Sequence, residues 1–278
     1  PRRGFMLIAQ LSDTHIKDGH DEPTQRLQAA VAHLLRLPAP PDVVIVSGDC
    51  TDTGSESEYA VFREALRPLP MPVYAIPGNH DHRTQLRTLM GEQGTRHMAE
   101  FVQYVVDDAG LLRLIGLDTL LPGQDGGLLD DNRLNWLNDR LVEAPERPTL
   151  IFMHHPPFPT GLCAYEQMGL AGAAEFAELV ARHPQVERIV AGHVHTGITR
   201  RFAGTIAQTC PSTLHQLLPD ARETQRLHVV MEPPAILLHQ WDDAAGLLTY
   251  TSPIGAHGPV VEVFDGAQWL MPPKLVRE

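Results

Sequence analysis

"VYAIPGNHDHR", residues 73–83, opens as an apolar strand and closes on an amide, an imidazole, a carboxylate and a second imidazole: Asn79, His80, Asp81 and His82. Pro77-Gly78 turns the chain between the two parts. One chain reversal does not need that density of polar groups, so the other strands decide whether this is a plain turn or one corner of a site. "FMLIAQLS" (5–12) runs into Asp13-Thr14-His15 and "DVVIVSG" (42–48) into Asp49. "TLIFM" (149–153) runs into His154-His155, and "RIVAG" (188–192) into His193-Val194-His195. Only the run "LLRLIGLDT" (111–119), which reaches Asp118, carries no such cluster. The length and Val/Ile/Leu content of these runs read as buried strands.

Helical patterns lie between several of them. In "TQRLQAAVAHLLRL" (24–37), Leu27, Val31, Leu34 and Leu35 share one face, and "EYAVFREAL" (58–66) and "NRLNWLNDRLVEA" (132–144) repeat the pattern. Strand–helix alternation implies an α/β fold with helices on the sheet faces. After residue 198 the texture turns β-rich without obvious helices, in "TRRFAGTIAQTC" (199–210), "RLHVVME" (226–232), "PAILLHQWD" (234–242) and "LLTYTSP" (247–253). No repeat or linker divides the 278 residues, so one domain, 1–278, is expected. Its 199–278 portion is expected to complete a second sheet and to offer an oligomer interface. The Pro/Gly-rich tail beyond residue 252 reads as irregular or as an interface arm.

A net charge of −12 gives no diffuse attraction to nucleic acid or an anionic membrane, so an anionic substrate has to be held by a local positive charge such as a metal. Cys50, Cys163 and Cys210 are far apart, which argues against a disulfide framework and a thiolate zinc site. "FMLIAQL" is too short to span a bilayer and lacks the features of a secretory signal. A cytoplasmic protein is expected.

In an open α/β sheet, loops converge outside the carboxyl ends of the strands, and there the polar clusters form a composite site. Carboxylate, imidazole and amide oxygen without thiolate suit Mn, Fe, Co or Zn better than Cu(I), and carry too much imidazole for a Ca or Mg cage. Asp13 and His15 are two apart and can face the same ion, and Asp49 has two oxygens with which to bridge a pair.

The ordered blocks D-x-H (13–15), G-D (48–49), G-N-H-D (78–81), H-H-P (154–156) and G-H-x-H (192–195) resemble the calcineurin-like metallophosphoesterases. "LSDTHI", "GDCTD", "IPGNHD", "HHPP" and "AGHVHT" are most similar to the class III branch of cyclic-nucleotide and glycerophosphodiester phosphodiesterases. The resemblance implies a four-layer αββα sandwich, two mixed sheets flanked by helices, with a dinuclear metal site at one edge. It assigns Asp13, His15, Asp49 and His195 to one ion, and Asp49, Asn79, His154 and His193 to the other. His80 would face the substrate phosphate as the catalytic group. Of the adjacent His154 and His155, which point opposite ways on an extended chain, the resemblance selects His154 as ligand. His155 and Asp81 are left as supporting residues around the metals, with Asp81 expected to orient a neighbouring imidazole or amide.

The implied activity is hydrolysis of small phosphodiesters, 3′,5′-cyclic nucleotides or glycerophosphodiesters, by in-line attack of a metal-bound hydroxide. Two divalent ions, less two carboxylates and a hydroxide, leave a charge of roughly +1, which suits a singly charged diester. A phosphomonoesterase or nucleotide pyrophosphatase on the same metals is the alternative. A catalytically silent metal-binding protein ranks below both, because no ligand and no His80 is missing. A nuclease fits poorly with the acidic chain.

Taken singly, each of these residues reads as a turn residue or cap, and only their order speaks against that. His20, His33, His82, His97, His183, His228, His239 and His257 read as ordinary histidines, and Cys50 and Trp136 as packing residues. His215, in "CPSTLHQ" (210–216), belongs to a stretch that can return toward the pocket. Asp52 and Thr51 are expected to brace the loop after Asp49. Loops 16–24, 83–100, 119–130 and 157–172 are expected to set substrate choice.

Overall fold

Apolar runs and amphipathic segments resolve into two mixed sheets flanked by helices in the computed structural model, which describes residues 4–255 and 258–276. His257 lies outside the described residues. In chain order the first half contains β1 (Met6–Leu11), α1 (Asp21–Leu35), β2 (Val43–Val46), α2 (Glu56–Leu66), β3 (Val73–Ala75), α3 (Arg83–Met90), β4 (Tyr104–Val106), β5 (Arg113–Gly116), β6 (Gly127–Leu128) and α4 (Asp131–Val142). The second half contains β7 (Thr149–Phe152), β8 (Leu170–Ala171), α5 (Ala173–Ala181), β9 (Val186–Ala191), β10 (Thr199–Phe202), β11 (Thr205–Thr209), β12 (Gln216–Leu217) and β13 (Val229–Val230). It ends with β14 (Ala235–Asp242), β15 (Gly246–Pro253), β16 (Val261–Phe264) and β17 (Trp269–Leu275).

One sheet has the order β15-β14-β1-β2-β3 and the other β10-β11-β9-β7-β5-β4. In the first, β1, β2 and β3 run parallel through crossovers that contain α1 and α2, and in the second β5, β7, β9 and β11 are parallel. Every residue of β1, β2, β5 and β7 is buried, as expected of parallel strands covered on both faces. The sheets stack closely. A Cβ on Gly116 of β5 would lie 2.9 Å from Ile76 Cγ2, and Tyr104 on β4 donates its hydroxyl proton to Ala75 O at 2.8 Å. Local signals set the helix starts. Ser55 and Glu58 form a reciprocal capping box at α2, and Asp130 accepts from Arg133 N at the start of α4.

The β-rich region after residue 198 divides between the sheets instead of completing one. β10 and β11 extend the second sheet beyond β9, whereas β14 pairs antiparallel with β1 of the first. Both β1 and β9 would otherwise present open edges, and each needs a neighbour. The tail is not irregular: β16 and β17 form an antiparallel hairpin. That hairpin is apolar and exposed, with Trp269 74% and Met271 88% accessible.

One feature of the core makes stability depend on acid. His239 on β14 is fully buried between Gln10 Oε1 (3.0 Å) and Thr249 Oγ1 (2.9 Å). Burial, helped by the charge of Arg188, pushes its pKa down to about 3. The folded state therefore keeps it neutral, while the unfolded chain takes up a proton below the ordinary histidine value of 6.5. Stability is therefore complete above that value and is lost as pH falls toward 3, by roughly 2–3 kcal/mol at about pH 4.5. Urea denaturation across this range should show the loss, and His239→Gln should flatten it. An unchanged slope in the variant would assign the loss to other groups.

Candidate metal centre

The loops after β1 and β2 continue the ladder beyond the strands: Asp13 N donates to Gly48 O (3.1 Å) and His15 N to Asp49 O (3.0 Å). At the same edge, Gly192 N donates to His154 O (2.9 Å), and His193 N donates to the Asp13 carboxylate (3.1 Å). That last bond links the strand ends of the two sheets. Seven non-glycine residues have positive φ among the described residues, and five of them are Asp13, His15, Asp49, His193 and His195. Left-handed backbone at carboxylate and histidine positions is costly, and its concentration here marks a functional site. The glycines of the motifs allow the close approach. A Cβ on Gly78 would fall 2.2 Å from Asp49 Oδ1, and one on Gly192 would fall 2.1 Å from Ser12 Oγ.

Four imidazoles share one pattern: the outer nitrogen faces an oxygen and the inner one points at the centre. His154 Nδ1 faces Ser47 O (2.8 Å), while Nε2 lies 3.0 Å from Asn79 Oδ1 and 3.3 Å from Asp49 Oδ2. His193 Nε2 faces Met168 O (3.1 Å) and Nδ1 faces Asn79 Oδ1 (3.1 Å). His195 Nδ1 faces His215 O (3.3 Å), while Nε2 lies 3.4 Å from Asp13 Oδ1 and 3.1 Å from His15 Nε2. His15 Nδ1 faces Asp52 Oδ1 (3.4 Å), and its Nε2 is 3.6 Å from Asp49 Oδ2. Outer N–H groups anchored on oxygen are the arrangement that orients metal-binding histidines.

The electrostatics test whether a cation fits. Burial and the neighbouring imidazoles hold His193 well below the ordinary range, and burial with the His15 charge takes His195 down to about 3. Each neutral ring has one proton, and the outer oxygen claims it. The inner nitrogens then direct lone pairs at Asn79 and Asp13 oxygens, a repulsive contact that a cation between them converts into ligation. Burial alone would lower His154, but Asp49 and Asp13 hold it up at about 9. Burial likewise acts to raise Asp49, and the His154 and His15 charges overcome it and leave the carboxyl well below 3.8. The donor atoms of Asp13, His15 and His195 lie within 4.8 Å of one another, as do those of Asp13, Asp49 and His154. The residues present fit metal ions.

His155 does not aim inward. Its proximity puts it in a cluster with His154 and His193, but Nδ1 is 2.8 Å from Thr119 Oγ1 and Nε2 is 3.1 Å from Asp125 O. Burial and the His154 charge keep it neutral, at about 3. Of the two kinds of partner expected for Asp81, it touches no imidazole and binds backbone amides. It accepts from Gly78 N, Cys50 N, Thr51 N, Thr51 Oγ1 and Tyr59 OH, and so clamps the loop that carries Asn79 against the loop that carries Asp49. His80 is 38% exposed at the cleft floor. Its backbone N–H donates to Asp49 Oδ1 (3.0 Å), and its Nδ1 bonds Asp52 O (2.8 Å), which leaves Nε2 for a ligand. Asp118 proves structural: it binds Arg83 with both oxygens, and so pins the start of α3 just after the His80 turn.

The cleft above these groups has a volume of about 840 Å³. Tyr165 and Met168 line it, as the 157–172 loop predicted, and so does His215, whose ring lies 4.5 Å from that of His195. Residues 83–100 do not; α3 packs against α2 instead. Two features were missed in the sequence. Asp52 does more than brace its loop: it orients His15 and His80 and pairs with Lys17 at 2.8 Å. Its position three residues after Asp49 was the available signal. The second is the set of apolar side chains that segment 214–231 turns into the cleft; of that segment only the stretch around His215 was expected near the pocket.

Residues 6–197 match the family model described as calcineurin-like phosphoesterase. The chain is 35% identical over 257 residues to a probable glycerophosphodiester phosphodiesterase GpdQ of Arcobacter nitrofigilis, covering 90% of this chain and 94% of that protein. It is 34% identical over 245 residues to glycerophosphodiester phosphodiesterase GpdQ of Enterobacter lignolyticus, covering 84% and 87%. With 3′,5′-cyclic adenosine monophosphate phosphodiesterase CpdA of Pseudomonas aeruginosa the identity is 29% over 224 residues, covering 78% and 80%. Among solved structures, a dimetal phosphatase from Danio rerio superposes with a TM-score of 0.65 over 90% of this chain and 99% of that one. At 16% identity that likeness shows the fold.

Proposed function

This chain belongs to the calcineurin-like phosphoesterase family, and from that premise we propose that it hydrolyses small phosphodiesters with two first-row metal ions. The observation that carries the substrate class is the charge of the cleft. Lys17 is the one Lys or Arg lining it among the described residues, and Asp52 already pairs with it at 2.8 Å, while Asp21, Glu22 and Asp125 add negative charge. A dianionic monoester or a pyrophosphate calls for further cationic side chains, and a singly charged diester does not. The names of the relatives direct the reading to glycerophosphodiesters and 3′,5′-cyclic nucleotides.

In this reading Asp13, His15, Asp49 and His195 hold one ion and Asp49, Asn79, His154 and His193 the other, with Mn, Fe, Zn or Co matching the oxygen and imidazole donors. Such ions, when bound, polarise the phosphoryl group and lower the pKa of an attacking water. The remaining work falls to the chain. Ser47 O, Met168 O, His215 O and Asp52 Oδ1 fix the four imidazoles. His80, held by Asp52 O, directs Nε2 at a phosphoryl oxygen or the departing alkoxide, where it can hydrogen-bond or give up a proton. His155 and Asp81 support the loops.

The test is a parallel assay on Mn²⁺-reconstituted protein with a chromogenic diester, the matching monoester and cyclic AMP. Diester preference that chelator abolishes and Mn²⁺ restores is expected. Monoester preference would leave the metal centre standing and overturn the substrate class. No turnover of any of the three with two ions bound would favour a silent metal-binding protein.

A cytoplasmic setting belongs to the same reading, supported by three free cysteines, and export of the mature protein in fractionation would contradict it. No helix among the described residues is long and apolar enough to cross a membrane. The exposed β16–β17 hairpin supports self-association, because an isolated two-stranded hairpin is marginal in water. A monomeric mass by light scattering would remove that part.

A further inference from the structure

The cleft has two unlike halves. Its floor is the polar centre described above. Its other side is a wall formed by β12, β13 and their flanks, which presents Leu214, Leu217, Leu227, Val229 and Met231, joined by Met168. Leu217 is buried at the base of the wall; the other five lie outside the buried core, and Leu227, Val229 and Met231 are 44%, 53% and 53% exposed. Apolar side chains left outside the core and gathered on one concave surface mark a binding site.

The wall is fixed to the reactive centre. Leu217 N donates to His195 O (3.2 Å), Thr213 N donates to Ser12 O (3.2 Å), and Ser212 Oγ donates to Asp13 O (2.8 Å). On the far side, Gln225 ties it to the 157–172 loop through Gln167 Nε2 (2.9 Å) and Cys163 Sγ (3.1 Å). A phosphate seated at the floor would therefore have one ester group directed along an apolar surface.

We infer that this wall is the subsite for an apolar ester group, so that diesters with an aryl or alkyl substituent are preferred over those with a polyol such as glycerol. Hydroxyls of a polyol would leave water for side chains that offer them no hydrogen bond, whereas an aryl or alkyl group gains from the same transfer. The inference rests on the phosphodiesterase reading for its substrate, and its test is separable from that reading.

The probes are dimethylphosphinate and diphenylphosphinate, single-charge anions whose P–C bonds are not hydrolysed. Calorimetric titration of the Mn²⁺-loaded protein should give roughly tenfold or tighter binding of the diphenyl compound. The double variant Leu227→Ser, Met231→Ser should remove that difference, with metal content and dimethylphosphinate affinity unchanged; both side chains are exposed, so the core is not opened. Equal or absent binding in the wild type, or a preference that survives in the variant, would overturn the inference. A variant that changed the mass in solution and left the preference intact would assign the wall to contact with a second copy. In parallel, phenyl and methyl p-nitrophenyl phosphate are compared for turnover. If neither is hydrolysed, the phosphodiesterase reading falls, and the phosphinate result still decides on the wall.

Discussion

Asp49→Asn is expected to lower diester turnover by roughly a thousandfold or more and to lose at least one bound ion. Loss of residues that merely support metal ligands costs about 10–100-fold, and Asp49 is shared between both proposed sites. Its Oδ2 lies 3.6 Å from His15 Nε2 and 3.3 Å from His154 Nε2, and its Oδ1 accepts the His80 backbone N–H at 3.0 Å. Asparagine keeps the shape and one acceptor while removing the charge, so the variant isolates the electrostatic contribution. Elemental analysis beside kcat checks it. A variant with two ions and near-normal turnover would remove Asp49 from its bridging role.

His80→Ala is expected to lower kcat by roughly a hundredfold with both ions retained. The side chain is partly exposed, and its anchor is a backbone carbonyl, Asp52 O, so its removal should leave the four inward-facing imidazoles in place. His80 also lies close enough to His15 and Asp49 to be counted with them as a metal-binding group. Metal content separates the two roles. If an ion leaves together with the activity, His80 is a ligand and the catalytic assignment is wrong.

The strands and the polar clusters at their ends were legible because both signals are local. A buried strand needs an apolar run, and a ligand-bearing turn needs Asp, Asn or His where the run stops. The order of five such turns carried the fold, and the structure brings Asp13, His15, Asp49, Asn79, His154, His193 and His195 to one edge. The choice between His154 and His155 was not a matter of spacing; it depended on Thr119 and Asp125 O, which occupy both nitrogens of His155. The partners of Asp81 were out of reach for the same reason, since its five donors come from four residues at two separate places in the sequence and at the turn itself.

The apolar wall was out of reach for a different reason. Leu214, Leu217, Leu227, Val229 and Met231 look like any strand or loop hydrophobes, and only tertiary placement over the His195 loop gives them a role. The division of the C-terminal strands between two sheets had the same origin, because open edges at β1 and β9 are properties of the assembled sheets.

In the proposed metal centre two ions sit in two donor sets that share Asp49. Anomalous difference maps from crystals of Mn²⁺-loaded protein test it most directly. Two peaks are expected, one among Asp13, His15, Asp49 and His195 and the other among Asp49, Asn79, His154 and His193. A single peak, or peaks away from Asp49, would contradict it.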